Sequence, residues 1–283
     1  MAPGGTEMDA HAGTLFVVST PIGNLGDVTL RAIETLKSAD LILAEDTRTS
    51  RVLLEHYGIA RRPMSAREHN EAQVVPRVLD RLSRGETVAL ITDAGTPLIS
   101  DPGGRIVEAV LKAGYRVSPV PGASAVMAAL AAAGLDTSRF TFFGFLPRSG
   151  RERREAMDDL RQLRHTGVLF EAPGRTAATL RDLAEVGAGD RRCVVAREIS
   201  KKFEEFREGT VEELAAYYAE QEPRGEIVIL VAGGAPKPFS ESELEERAKA
   251  LRQEGLSARD VAAALVEETG LPRNTVYRIA LKA

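Results

Sequence analysis

The first half of the chain alternates short apolar runs with stretches in which apolar residues recur every three or four positions. Short apolar runs are typical of buried strands, and the longer spacing is typical of helices. The predicted strands are residues 14–20, 40–46, 87–93 and 116–120. The predicted helices are residues 30–39, 52–58, 74–85, 105–115 and 123–134. This alternation predicts an α/β domain with a mostly parallel sheet over residues 14–135.

A second set of apolar runs and helical stretches predicts a second α/β domain over residues 136–234. Its runs are as apolar as those of the first set, so each domain is expected to have a core of its own. The predicted strands are residues 141–146, 167–172, 193–198 and 225–233. The predicted helices are residues 176–187 and 211–221.

The two ends of the chain differ from these domains. Residues 1–13 are mostly small and polar, which predicts a flexible tail, and the two prolines within 235–240 predict a linker. Residues 240–283 are expected to form a small helical domain whose helices lie at 242–255, 257–270 and 274–283. Its last two helices resemble a helix-turn-helix, with Gly270 at the turn. The domain is then either a nucleic-acid-binding module or a plain helical cap on the second domain. The last helix carries the polar side chains that suit binding: Arg273, Asn274, Tyr277 and Arg278.

Composition narrows the classes of protein that fit. The chain has 283 residues, of which 43% are hydrophobic, which is enough for two cores. No apolar run approaches the roughly 20 residues of a membrane-spanning helix, and the polar start lacks the pattern of a secretory signal. A soluble, cytoplasmic protein is therefore expected. The single cysteine, Cys193, excludes an intramolecular disulfide and is expected to be a buried structural thiol, and the four histidines predict no metal site.

The net charge argues against a protein that coats nucleic acid through a broad basic surface. The formal net charge is -4, so any contact with RNA has to be local. Two clusters of arginine offer such contacts, although acidic residues interleaved with the second also fit an ordinary solvated helix face. The first cluster is Arg61, Arg62 and Arg67. The second is Arg148, Arg151, Arg153, Arg154, Arg161 and Arg164.

Four turns that follow predicted strands are rich in glycine, proline and polar residues. Ligands of open parallel sheets bind beyond the carboxyl ends of the strands, so these turns are where chemistry is expected. They are residues 20–27, 44–50, 92–104 and 119–125. The first lacks the G-x-G-x-x-G spacing of a dinucleotide site, which argues against NAD. The third is the most informative, because it exposes backbone groups that can grip a small zwitterion.

The second turn places Glu45, Asp46 and Arg48 directly after a buried strand. Two interpretations remain open for its carboxylates. They cap the helix that follows, or they lie in a cleft and accept a proton from a substrate hydroxyl.

Together these turns resemble the tetrapyrrole methylase family, and within it the ribosomal RNA small subunit methyltransferase I branch. The resemblance covers nearly the whole chain after residue 13, in collinear order. It is carried by TPIGNLGDVTLRA, AEDTRTS, EHNE, ITDAGTPLISDPG, PGASA, GFLPR, FEAPGR, REISKKFEEFREGT and GEIVILVAG. The resemblance implies two α/β domains with S-adenosylmethionine folded into the cleft between them. It further implies 2'-O-methylation of a cytidine in the decoding region of 16S rRNA.

The resemblance also assigns cofactor positions, motif by motif. Many relatives carry Gly-Asp-Pro in the third turn, whereas this chain has Gly95-Thr96-Pro97, so backbone contacts are expected at Thr96. The implied cofactor-binding residues are Ile22, Gly95, Thr96, Ile99, Ser124, Ala125, Phe170, Glu171, Gly225, Glu226 and Ile227.

The catalytic residues are a hypothesis that the family does not settle. Asp46 is the first candidate for the general base, with Glu45 next, because their turn faces the substrate side of the cleft in relatives. Asp93 and Glu171 are weaker candidates. His69 fits a helix start as well as it fits substrate binding. Side chains expected to hold phosphate or base are Arg48, Arg67, His69, Asn70 and Arg175.

The implied partner is 16S rRNA within the small ribosomal subunit, and the implied assembly is a homodimer. Two rival functions stay open. One is methylation of a tetrapyrrole or of a protein on the same fold. The other is a regulator that binds nucleic acid and has lost catalysis.

Overall fold

The structure is a computed structural model that describes residues 13–234 and 241–283. These residues form two compact units, one ending at Ala232 and the other beginning at Gly233. The predicted tail up to residue 12 and the predicted linker at 235–240 lie outside the described residues.

The first sheet of the larger unit is parallel throughout, as the alternating pattern predicts. Its strands lie in the order β3-β2-β4-β1-β5. The two-residue strand β3 was not predicted, because two half-buried residues give no apolar run. The strands are β1 Thr14–Val18, β2 Leu41–Ala44, β3 Met64–Ser65, β4 Val88–Ile91 and β5 Arg116–Val120.

Five helices connect or follow these strands. Each lies close to its predicted range except α2, which begins five residues earlier than the predicted 52–58, because the side chain of Asp46 caps it. The helices are α1 Leu30–Ser38, α2 Thr47–His56, α3 Glu71–Ser83, α4 Gly104–Lys112 and α5 Ala125–Ala132.

The second sheet is mixed, with the order β6-β7-β10-β8-β9. Only β6 and β7 pair in parallel, and the other neighbours are antiparallel. The edge strand β9 was not predicted, because its sequence EFREGT is polar. The strands are β6 Phe140–Phe145, β7 Thr166–Glu171, β8 Arg192–Arg197, β9 Glu205–Thr210 and β10 Ile227–Val231. Its helices are α6 Gly150–Gln162, α7 Thr176–Leu183 and α8 Val211–Glu220.

A shared hydrophobic cluster joins the two sheets of the larger unit. Helix α5 buries Val126 and Leu130 against Val168 and Val228 of the second sheet. Ile22, from the turn after β1, belongs to the same cluster. The turns at the carboxyl ends of the first sheet are thereby held against the second sheet.

The described part of the smaller unit contains three helices, as predicted, with an apolar core of its own. They are α9 Glu241–Gln253, α10 Ala258–Thr269 and α11 Arg273–Lys282. Leu244, Leu265 and Val276 are each buried in that core. Gly270 ends α10 in the left-handed conformation, with a φ of 69°, at the position predicted for the turn.

Candidate active site

The turns after β1, β4 and β5 are tied together by hydrogen bonds. Thr20 and Gly95 exchange backbone hydrogen bonds of 2.8 and 3.1 Å. The Thr96 hydroxyl lies 3.1 Å from the Ser19 hydroxyl and donates to the carbonyl of Ala123 at 3.3 Å. The Thr96 side chain is therefore engaged within the protein, which leaves its backbone for any ligand.

These turns and the second sheet enclose a largely apolar cavity of about 400 Å³, a size typical of small-molecule sites. We call it the apolar cavity. All of the cofactor-binding residues implied by the resemblance line it. They are Ile22, Gly95, Thr96, Ile99, Ser124, Ala125, Phe170, Glu171, Gly225, Glu226 and Ile227. Residues that the sequence did not single out line it too, among them Ser100, Asp101, Val126 and Phe145.

The walls of the apolar cavity combine aromatic rings with bare backbone. The Phe170 ring lies 4.9 Å from that of Phe142 and 5.5 Å from that of Phe145. Gly95 and Gly225 have φ values of 82° and 87°, a conformation that favours glycine and leaves peptide groups uncovered. Such walls suit a ligand that has a flat ring at one end and polar groups that bind to backbone at the other.

Glu171 is buried at one edge of the apolar cavity and already has partners. Its carboxylate lies 3.1 Å from the Arg175 guanidinium and accepts hydrogen bonds from the Thr179 hydroxyl at 2.5 Å and from the Ala172 N–H at 2.8 Å. Arg175 also donates to the Leu146 carbonyl at 2.9 Å. Arg175 therefore anchors Glu171 and does not line the second cavity described next.

A second, polar cavity of about 770 Å³ adjoins the first. We call it the polar cavity. Of the side chains expected to hold substrate, Arg48, Arg67 and His69 line it. Asn70 does not, because its amide accepts from the Arg67 N–H at 2.7 Å and donates to the Ser65 carbonyl at 3.2 Å. The remaining lining includes Glu45, Asp46, Asp93, Asp101 and Arg105.

Asp46 caps α2 and holds two arginines. Its Oδ1 accepts from the Arg48 N–H at 2.8 Å, which confirms the capping interpretation for this residue. Its Oδ2 lies 2.7 Å from the Arg48 guanidinium and 3.4 Å from that of Arg67. The hydrogen bonds from Arg48 lower the pKa of Asp46 well below its usual range. Asp46 is thus a stable anion that positions two cations along the polar cavity.

Two other carboxylates of the polar cavity, Asp93 and Asp101, lie in a less favourable environment for charge. Glu45 accepts from the Thr92 hydroxyl at 2.9 Å, and Asp93 accepts from the Asp46 N–H at 3.0 Å. Burial raises the pKa of Asp93. Burial also raises the pKa of Asp101 to about 6, with the charges of Glu45 and Asp93 adding to the effect.

Sequence reasoning passed over Asp101 and Arg105. Asp101 lies within the long third turn and Arg105 directly follows it, but no spacing distinguishes them from ordinary loop and helix residues. The available signal was the density of glycine and proline around them. Asp101 is recognisable only in three dimensions, by its position at the edge of both cavities.

The second arginine cluster divides between structural and surface roles. Arg151 and Arg161 pair with acidic side chains on the same helix, which agrees with a solvated helix face. Arg153 is nearly buried and lies 2.6 Å from Asp182 of α7. These arginines are already partnered within the protein.

Cys193 is buried in the core of the second sheet, where burial raises the pKa of its thiol. Across residues 13–234 and 241–283, no group of three or more His, Cys, Asp or Glu side chains is placed to hold a metal ion. Within the same ranges, no helix has both the length and the apolar character needed to cross a membrane.

A family profile and similar curated proteins point to the same family. The family profile of Tetrapyrrole (Corrin/Porphyrin) Methylases matches residues 14–215. A relative from Synechocystis sp., named Ribosomal RNA small subunit methyltransferase I, is 43% identical over 95% of this chain and 98% of its own length. A relative of the same name from Pseudomonas aeruginosa is 45% identical over 96% of this chain and 98% of its own length.

A solved structure shares the fold. It is uroporphyrin-III C-methyl transferase from Thermus thermophilus, complexed with S-adenyl homocysteine. The TM-score is 0.55 at 22% sequence identity, and the match covers 77% of this chain and 96% of that one.

Proposed function

The chain belongs to the tetrapyrrole methylase family, and we propose that it transfers a methyl group from S-adenosylmethionine to the RNA of the small ribosomal subunit. The observation that carries this proposal is the adjacency of two cavities. One has walls suited to a cofactor, and the other is lined by arginines. Relatives at 43% and 45% identity, matched over nearly their full length, bear the name of such an enzyme.

We assign S-adenosylmethionine to the apolar cavity. The structure that shares the fold holds S-adenyl homocysteine, the same molecule without the methyl group. In this chain, Phe170 and Ile227 offer apolar surface to an adenine ring. The backbone around Gly95 and Ser124 offers hydrogen bonds to polar ends. The other implied residues complete the same wall.

We assign the nucleotide to the polar cavity. Guanidinium groups match phosphate oxygens with paired hydrogen bonds, and Arg48, Arg67 and Arg105 line this cavity. His69 lies beside them and can contact a base or a sugar. We propose more specifically that the methyl acceptor is the ribose 2'-hydroxyl of a cytidine in the decoding region of 16S rRNA, within the small ribosomal subunit.

Methyl transfer depends mainly on the orientation of the two reactants and needs no covalent intermediate with the protein. S-adenosylmethionine, when bound, supplies an electrophilic methyl group. The protein has to hold the ribose hydroxyl in line with it, and Asp46 contributes by fixing Arg48 and Arg67. Because a ribose hydroxyl is a weak nucleophile at neutral pH, a carboxylate that takes its proton speeds the transfer. The sequence favours Asp46 for that step, with Glu45, Asp93 and Glu171 as the other candidates.

The smaller unit is proposed to contribute RNA affinity. Arg273, Asn274 and Arg278 are exposed on α11, which is the recognition position of a helix-turn-helix. We further propose that the enzyme acts in the cytoplasm. We also propose that it is a homodimer, and light scattering of the purified protein tests this oligomeric state directly.

Binding of the cofactor separates this proposal from a regulator that has lost catalysis. Replacing Ala125 by Phe fills part of the apolar cavity, so we expect it to weaken S-adenosylmethionine binding about a hundredfold in calorimetric titration. Met127→Phe is the matched control, because Met127 is exposed on the same helix. A wild-type protein that binds no S-adenosylmethionine would support the regulator instead. A protein that binds it but methylates only tetrapyrroles or proteins would support the other rival.

A further inference from the structure

Asp101 lies where the two cavities meet. Among the lining residues that fall within 13–234 and 241–283, only Ser100 and Asp101 line both the polar cavity and the apolar cavity. A group that takes a proton from the nucleotide during methyl transfer has to reach both ligands. Asp101 is the carboxylate whose position allows that.

We propose that Asp101 is the general base that accepts the proton of the substrate hydroxyl as the hydroxyl oxygen attacks the methyl group. This inference rests on the proposed function and deepens it. In the step, the bond between sulfur and methyl breaks and its electron pair stays on sulfur. A bond forms between the ribose oxygen and the methyl carbon, and the hydroxyl proton passes to a carboxylate oxygen of Asp101. The proton then leaves to water, so the carboxylate is restored.

The backbone around Asp101 is held in an unusual conformation. Leu98 and Ser100 have φ values of 72° and 68°, which side-chain-bearing residues rarely adopt, and Gly103 has a φ of 120°. Such strain persists only where the surroundings enforce it, and it is frequent at active sites. The end of this turn is held by buried Glu71, which accepts hydrogen bonds from the Gly103 N–H at 2.7 Å and the Arg105 N–H at 3.0 Å.

The charges around Asp101 keep its carboxyl ready to bind a proton. Burial, with the nearby charges of Glu45 and Asp93, raises its pKa to about 6, although a hydrogen bond with Thr92 opposes the shift. The other titratable side chains of the two cavities are Glu68, His69, Glu71, Arg105, Glu171 and Glu226, besides Asp46 and its two arginines. Glu71 and Glu171 are held by the hydrogen bonds already described.

Asp46 differs from Asp101 in the property that matters for proton transfer. Its pKa is depressed by Arg48, so it binds a proton weakly. General-base catalysis is most efficient when the pKa of the base lies near the working pH. The structure therefore gives Asp46 a positioning role and leaves proton transfer to Asp101.

Direct titration tests the position of Asp101 without any RNA. In protein labelled with 13C at aspartate carboxyls, we expect a signal that titrates near pH 6 and is missing from Asp101→Asn. Saturating S-adenosylmethionine should lower that midpoint relative to saturating S-adenosylhomocysteine, because only the first carries a positive sulfonium. The two ligands exclude water almost equally, so the second controls for burial. Equal midpoints in the two complexes would overturn the proposal.

Single-turnover methyl transfer to small subunits that lack the modification tests the role itself. We expect Asp101→Asn to slow transfer by about 10²- to 10⁴-fold, the usual contribution of a general base. We also expect it to abolish the rise of the wild-type rate with pH at saturating S-adenosylmethionine. Because Asp101 lines the apolar cavity, we expect the same variant to weaken S-adenosylmethionine binding more than S-adenosylhomocysteine binding. Asp101→Glu should recover part of the rate with a displaced midpoint. Asp158→Asn, on the exposed face of α6, is the control.

The outcomes separate the two proposals. An Asp101→Asn protein that keeps the wild-type rate and pH profile would overturn the role of Asp101 and leave the proposed function standing. A wild-type protein that methylates no ribosomal RNA would contradict the proposed function. The titration with the two ligands would then still decide whether Asp101 faces the methyl donor.

Discussion

Glu171 and Arg175 form the ion pair on which one wall of the apolar cavity depends. Removing one partner of a buried pair leaves an uncompensated charge, so we expect Arg175→Met to lower the free energy of unfolding by about 3 kcal/mol. Arg151→Met is the matched control. Arg151 and its partner Glu155 are both exposed, and we expect a change of at most about 0.5 kcal/mol there. Urea unfolding of both variants measures the difference.

An alternative role for Arg175 makes a different prediction for the same variant. If its guanidinium held substrate phosphate instead, Arg175→Met would raise the KM for the small subunit and leave the unfolding energy unchanged. That pattern would contradict the assignment of Arg175 to Glu171.

Asp101 also makes the stability of the protein depend on pH. Its pKa in the folded protein, about 6, lies above its usual value of 3.8. The stability contributed by the protonated carboxyl is therefore present below the usual value and lost as pH rises through about 6. Asparagine stays neutral throughout. We expect Asp101→Asn to raise Tm over the wild type by more at about pH 7.5 than at about pH 5, as measured by differential scanning calorimetry. A gain that is constant across this range would contradict the raised pKa.

At the scale of elements, the turn that leads into β10 shapes the apolar cavity. Gly225 has a φ of 87°, and a Cβ placed there would lie 2.2 Å from Glu198 Oε1. We expect Gly225→Ala to weaken S-adenosylmethionine binding about tenfold, which is about 1.4 kcal/mol, because the turn has to move. Calorimetric titration measures the change.

Gly114 supplies the matched control for that turn. Its φ is 81°, but nothing lies within 4 Å of the Cβ position. Gly114→Ala therefore carries the same backbone strain without the contact, and it lies outside both cavities. We expect it to lower stability and to leave S-adenosylmethionine affinity unchanged. Equal losses of affinity in the two variants would show that general destabilisation explains both.

The elements also show what sequence could predict. Strands such as β4 and β10 are buried on both faces, so their apolar runs were found directly. The edge strand β9 is polar, and its place depends on pairing with β8, which no local pattern records. Motif resemblance named the residues around the apolar cavity. The sequence did not identify Asp101 as a site residue, because its importance depends on its position between two cavities built by distant parts of the chain.

At the scale of the whole molecule, an acidic protein has to bind RNA through limited basic surfaces. With a net charge of -4, the exposed arginines of α11 are expected to matter individually. We predict that Arg273→Ala combined with Arg278→Ala weakens binding to small subunits. When the logarithm of affinity is plotted against the logarithm of salt concentration, the slope should become shallower by about 1 to 2. Arg247→Ala is the control, because Arg247 is paired with Glu268. An unchanged salt slope, in filter-binding assays across salt concentrations, would contradict an RNA-binding role for α11.

We propose that the two cavities of the larger unit bring a methyl donor and ribosomal RNA together. The most direct test incubates the purified protein with labelled S-adenosylmethionine and small ribosomal subunits that lack the modification, and then maps the labelled nucleoside. We expect one 2'-O-methylcytidine in the decoding region of 16S rRNA, lost in Ala125→Phe and kept in Met127→Phe. Unlabelled RNA from a protein that binds S-adenosylmethionine would contradict it.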